Sequence, residues 1–142
     1  MSESSSEKTN DTVILIARIL LMLLFLVFGW SKLTGYSGTV AFMQHDAVPF
    51  PALAAVIAIV VEFFGALVIM LGVCTRPAAI VLAIYTLATA VIGHHFWTMS
   101  GGARMGNMIN FYKNISIIGG FLLLYVTGAG RYSLDAKFLR DR

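Results

Sequence analysis

Residues 91–114 read VIGHHFWTMSGGARMGNMINFYKN, placing two adjacent histidines, three asparagines and a lysine in a chain that is otherwise mostly apolar. Glu62 stands alone as an acid inside the greasy stretch PALAAVIAIVVEFFGALVIMLGV. Imidazole changes charge near neutrality, a carboxylate and an ammonium can pair, and amides both donate and accept. Such a set could move protons, hold a small polar molecule or a quinone headgroup, or simply hydrogen-bond helices together. Neighbouring histidines on a helix point about 100° apart, so they cannot face one partner. No carboxylate or thiol completes a ligand set around them by spacing, and a metal site is not expected. His94 falls nearer the small-residue packing face and is assigned to the interior. His95 is assigned to the interface or a second neighbour.

The elements that position these groups follow from composition. Of 142 residues, 58% are hydrophobic and only 12% charged, against about 25% charged in an ordinary soluble domain. Apolar runs at 13–31, 51–73, 77–97 and 105–127 each have about the twenty residues a helix needs to cross a 30 Å hydrocarbon layer. The reading is all-α: an integral membrane four-helix bundle over 12–127, with a disordered tail at 1–11 and a second tail at 128–142. The polar sequence remaining is too little to form the water-facing shell of a soluble protein. The segment before the first run, MSESSSEKTNDT, lacks a basic region and a cleavage pattern, so that run reads as a retained anchor.

Basic residues report orientation. The net charge is +3, but no aromatic-interleaved basic patch suggests nucleic acid. An even number of spans puts both termini on one side, together with Lys8, Arg76, Arg131, Lys137, Arg140 and Arg142, while Lys32 and Arg104 lie opposite. The positive-inside rule then places both termini in the cytoplasm and the 98–104 loop outside. Cys74 is the one cysteine, in the turn Gly72 to Pro77, and reads as a shielded structural thiol with no disulfide or redox partner.

Helical spacing chooses the inner faces. Arg18, Leu21, Phe25, Gly29 and Lys32 recur at steps of three and four, so both charges of the first span share one stripe that should face protein. Small residues at Ala55, Ala58, Gly65 and Gly72, and again at Ala79, Ala83, Ala90 and Gly93, let helices approach closely in lipid. Asn107, Asn110 and Asn114 line one side of the fourth span with Lys113 on its flank. Glu62 comes out near mid-membrane, about 15 Å from either surface, with Lys113 and Arg18 as its candidate cations. A lone carboxylate there would cost about 2.5–3.5 kcal/mol on insertion scales, so it must be paired or protonated. Glu62, His94, Asn107, Asn110, Lys113, Asn114 and Lys32 together outline a polar cavity opening outward above Phe25. Trp30 and Trp97 fall near the outer interface.

The segments ARILLMLLFLVFGWSKLTG, EFFGALVIMLGVCTRPAA, VIGHHFW, NMINFYKNISIIGGFLLL and TGAGRYSLD resemble the DoxX family of small bacterial membrane proteins, a likeness running from residue 13 to 135. The resemblance implies a multi-pass protein of the bacterial inner membrane and an association with quinone-linked respiratory and sulfur-oxidising complexes. It carries over no set of catalytic residues. Three functions stay open: a redox-associated or accessory subunit binding a quinone or small molecule, with a membrane redox partner; a non-enzymatic scaffold or homo-oligomer; and a small transporter.

Overall fold

A computed structural model describes residues 5–140. Four of its helices are long and apolar enough to cross a membrane. They are α1 (Ser5–Thr34), α3 (Pro51–Leu71), α4 (Thr75–Gly93, followed by a 3-10 turn at Phe96–Thr98) and α5 (Gly101–Thr127). Two shorter helices complete the chain, α2 (Tyr36–His45) between the first two spans and α6 (Leu134–Arg140) after the last. The four spans form a bundle in which α1 packs on α3, α3 on α4, and α4 on α5.

The pattern of burial is that of a protein dissolved in lipid. Leu20, Val27, Ile84, Leu123 and Val126 point outward and are largely exposed. Between the helices, Met22, Phe25, Ile69, Leu82 and Phe121 close into one core, with Ala66 and Ala79 between them. Phe25 and Phe121 meet edge to face at 5.5 Å. The alanines Ala55, Ala58, Ala79 and Ala90 are wholly buried, as their spacing predicted, because a methyl group is all the space between close helices admits.

Local chemistry sets the ends of the spans. Pro51 opens α3 at a position where its missing N–H costs nothing. Gly72 closes it in the left-handed conformation at φ 71°. A side chain there would collide with Ser133 and with the guanidinium of Arg18, so glycine is required twice over. Several expected boundaries move. The first connection contains α2, packed against the start of α3 with the Tyr36 hydroxyl donating to the Ala52 carbonyl at 3.3 Å. The fourth span starts at Gly101, four residues earlier than the apolar run at 105. Helix also covers residues 5–11 and 134–140, both read from composition as tails, and residues 1–4 lie outside the described part.

One span is not a regular α-helix. Val60–Phe64 form a π-helical turn in the middle of α3, with Glu62 at its centre. Such wide turns interrupt α-helices mostly as single insertions. Gly29 of α1 faces it: a Cβ at Gly29 would lie 2.5 Å from the Phe63 nitrogen and 2.8 Å from its Cα. The swollen turn therefore presses backbone against backbone.

Candidate functional site

Glu62 is buried, 8% exposed, and both its oxygens are engaged. Oε2 accepts from the Lys32 ammonium at 2.7 Å, and Oε1 accepts from the Tyr85 hydroxyl at 2.6 Å. Three spans thus meet at one carboxylate: α1 through Lys32, α3 through its π turn, and α4 through Tyr85. Lys32 reaches from the last turn of α1, its ammonium 5.7 Å from the centre of the Phe28 ring and its side chain 25% exposed. Trp30 stacks obliquely on Phe63 at 5.7 Å beside the cluster, and Phe63 meets Phe64 edge-on at 5.2 Å. Charge-assisted hydrogen bonds of this length are the strong ones, and the surrounding hydrocarbon raises their worth.

The cations expected opposite Glu62 are elsewhere. Lys113 is exposed and donates to Asn110 Oδ1 on its own helix at 2.9 Å. Arg18 is fully buried, as its stripe predicted, but it turns toward the end of the bundle that carries the termini. There its guanidinium donates to the carbonyls of Ala129, of Met70 at 3.1 Å and of Tyr132 at 2.8 Å. These bonds and Asp135 make a clasp. The Asp135 carboxylate accepts from the backbone N–H of Cys74 at 2.8 Å and of Thr75 at 3.1 Å, while its own N–H donates to Gly72. Cys74 is exposed, not shielded, because its turn lies at the rim of the bundle with φ 45°.

The polar residues at the end away from the termini resolve into separate pairs instead of one network. α4 stops at Gly93, so His94 caps it and His95 leads into the 3-10 turn, and neither is on a helical face. His94 Nδ1 and Asn107 Oδ1 are 3.0 Å apart, while His95 Nδ1 meets the Ile92 carbonyl at 2.8 Å. Asn114 is buried and donates to Thr89 Oγ1 at 3.4 Å. The structure brings Lys32 to Glu62, but hydrogen bonds join His94, Asn107, Asn110, Lys113 and Asn114 to that pair nowhere. Tyr85 was missed by sequence reasoning. Its signal was depth: a tyrosine ten residues into a span, away from the interfacial belt, needs a buried partner for its hydroxyl.

A four-span bundle with an intramembrane lysine–carboxylate–phenol cluster defines a small polytopic membrane protein with a polar site inside the bundle. The chain belongs to the DoxX family, whose pattern it matches over residues 13–95. It is 53% identical to the inner membrane protein YphA of Escherichia coli over 90% of this chain and 91% of that protein. It is 44% identical to the inner membrane protein YqjF of the same organism, over 91% of this chain and 94% of the relative. The ER-derived vesicles protein ERV29 of Saccharomyces cerevisiae shares 27% identity over 94% of this chain but only 36% of its own length. No solved structure gives a significant match. Four spans and inner-membrane relatives matched end to end make this a multi-pass protein of the bacterial inner membrane.

Proposed function

We propose that this DoxX-family protein is a small redox-associated or accessory subunit that engages a quinone headgroup at the Lys32–Glu62–Tyr85 cluster, with both termini in the cytoplasm. The supporting observation is one buried carboxylate sharing its two oxygens between an ammonium and a phenol. A quinone carbonyl only accepts hydrogen bonds, and the cluster offers two donors, Lys32 and Tyr85; Phe63, next to Glu62 in the π turn, packs on Trp30. The donor set therefore suits such a headgroup, which would take over one of the bonds now made to Glu62. The excess of basic residues at the end bearing Lys8, Arg76, Arg131 and Lys137 supports the orientation.

Trp30 provides the test. In a Trp97→Phe background its fluorescence reports on the cluster alone, and a short-chain ubiquinone should quench it saturably. Lys32→Met and Glu62→Gln should remove the saturable part. Linear quenching identical in all three proteins would refute the quinone reading. It would favour a second one, supported by the complete pairing of Glu62: that the cluster is a clamp setting helix register in a scaffold or homo-oligomer.

A further inference from the structure

We propose that the opposite end of the bundle, the one carrying the termini, holds a second site, which takes the phosphodiester of a phospholipid headgroup. A cavity of about 680 Å³ opens there between the first turn of α4, the end of α5 and the clasp, lined among others by Thr75, Arg76, Pro77, Gly128, Asp135 and Phe138. Because α4 begins and α5 ends at this level, the cavity lies where a bilayer places its headgroups.

Three independent features fit a phosphate. The first is the guanidinium of the exposed Arg76, which lies along the backbone of Gly128. A Cβ at Gly128 would come within 3.4 Å of Arg76 Nε, and φ there is 72°, so glycine leaves that side of the planar group clear. Guanidinium is the group best shaped to grip two phosphate oxygens. The second is the Thr75 hydroxyl, which is buried at 2% exposure with no hydrogen-bond partner. Among the described residues three buried side-chain atoms are left without a partner, and two of them, Thr75 Oγ1 and Arg18 Nε, belong to this end. Native proteins rarely leave such groups unsatisfied. The third is the start of α4, a helix of 19 residues whose first amides already stabilise one anion, the Asp135 carboxylate. The Asp135 carboxylate is held by those amides, which leaves Arg76 as the one cation among the lining residues. Pro77, Ala136 and the largely exposed Phe138 supply an apolar wall for glycerol and the first methylenes.

The inference is independent of the quinone reading, which concerns the Lys32–Glu62–Tyr85 cluster midway along α4 and is read through Trp30. Native mass spectrometry of the full chain in mild detergent tests it, with phosphatidylglycerol and a diacylglycerol of the same acyl chains as probes. Phosphatidylglycerol should bind saturably and diacylglycerol should not. Arg76→Gln should weaken binding about tenfold and Thr75→Val about threefold. Lys8→Gln, a charge removed from the same face outside the cavity, should leave it unchanged. Should Arg76→Gln fail to fold, Thr75→Val, which keeps the side-chain shape and loses only the hydroxyl, decides alone. Equal binding of the two lipids, unchanged binding in Thr75→Val, or an equal loss in Lys8→Gln would overturn the proposal. Inorganic phosphate binding as tightly as phosphatidylglycerol would overturn the lipid assignment.

Discussion

Glu62→Gln, Lys32→Met and the double variant form a cycle that measures whether the intramembrane pair holds α1 to α3. The 2.7 Å contact is direct, and the carboxylate keeps only 10% of its side chain exposed. Removing one partner of a fully buried pair costs about 3–5 kcal/mol, since the other charge is left stranded. Lys32 retains a quarter of its exposure and can swing toward the interface, and Glu62 keeps its bond from Tyr85. Each single change should therefore cost less, about 2 kcal/mol, with a coupling near 1.5 kcal/mol in the double variant. Equilibrium unfolding in mixed detergent micelles, followed by circular dichroism, gives the four stabilities. Lys113→Met run in the same cycle is the control, because Lys113 is engaged with Asn110. A coupling below about 0.5 kcal/mol between Glu62 and Lys32, or one as large with Lys113, would refute the assignment of the partner.

Gly29→Ala should destabilise the bundle by about 1–3 kcal/mol through overpacking, since its Cβ would sit 2.5 Å from the Phe63 nitrogen, and unfolding of that variant checks it. The same change should weaken quinone quenching of Trp30 by pushing the π turn away from Lys32. Asp135→Ala should cost about 1 kcal/mol and speed hydrogen exchange at the amides of Cys74 and Thr75, whose bonds it removes; unchanged exchange would count against the clasp. In intact spheroplasts an impermeant maleimide should label a Ser100→Cys variant in a Cys74→Ser background and should spare the exposed native Cys74. Equal labelling would overturn the orientation.

The four spans were legible because a bilayer demands a fixed length of apolar helix, and composition displays it. The inner stripe of α1 was legible too: Arg18, Phe25 and Gly29 are all buried. Partners were harder to read. Depth, face and charge on a straight helix point Glu62 at Lys113 or Arg18, and neither the π turn nor the reach of Lys32 enters that arithmetic. His94 and His95 were carried onto α4 because apolar periodicity runs on to Trp97, although Gly93 already marked a place where a helix can stop. The α2 helix, with 10 residues, is too short to span, so a search for spans does not reveal it. The clasp joins residues 111 apart, and no local pattern announces a bond of that kind.

That clasp bears on how the protein is made. Arg18 enters the membrane with the first span, yet the carbonyls of Ala129 and Tyr132 that receive its guanidinium are made 111 and 114 positions later. Until those residues are made the cation has only the Met70 carbonyl of its eventual acceptors, and a guanidinium buried at the edge of the hydrocarbon without its acceptors is costly. Closure of the bundle is thus gated by synthesis of the segment that follows the fourth span: a product that stops before Ala129 displays an arginine without its acceptors, a mark by which quality-control proteases could tell it from one that has closed.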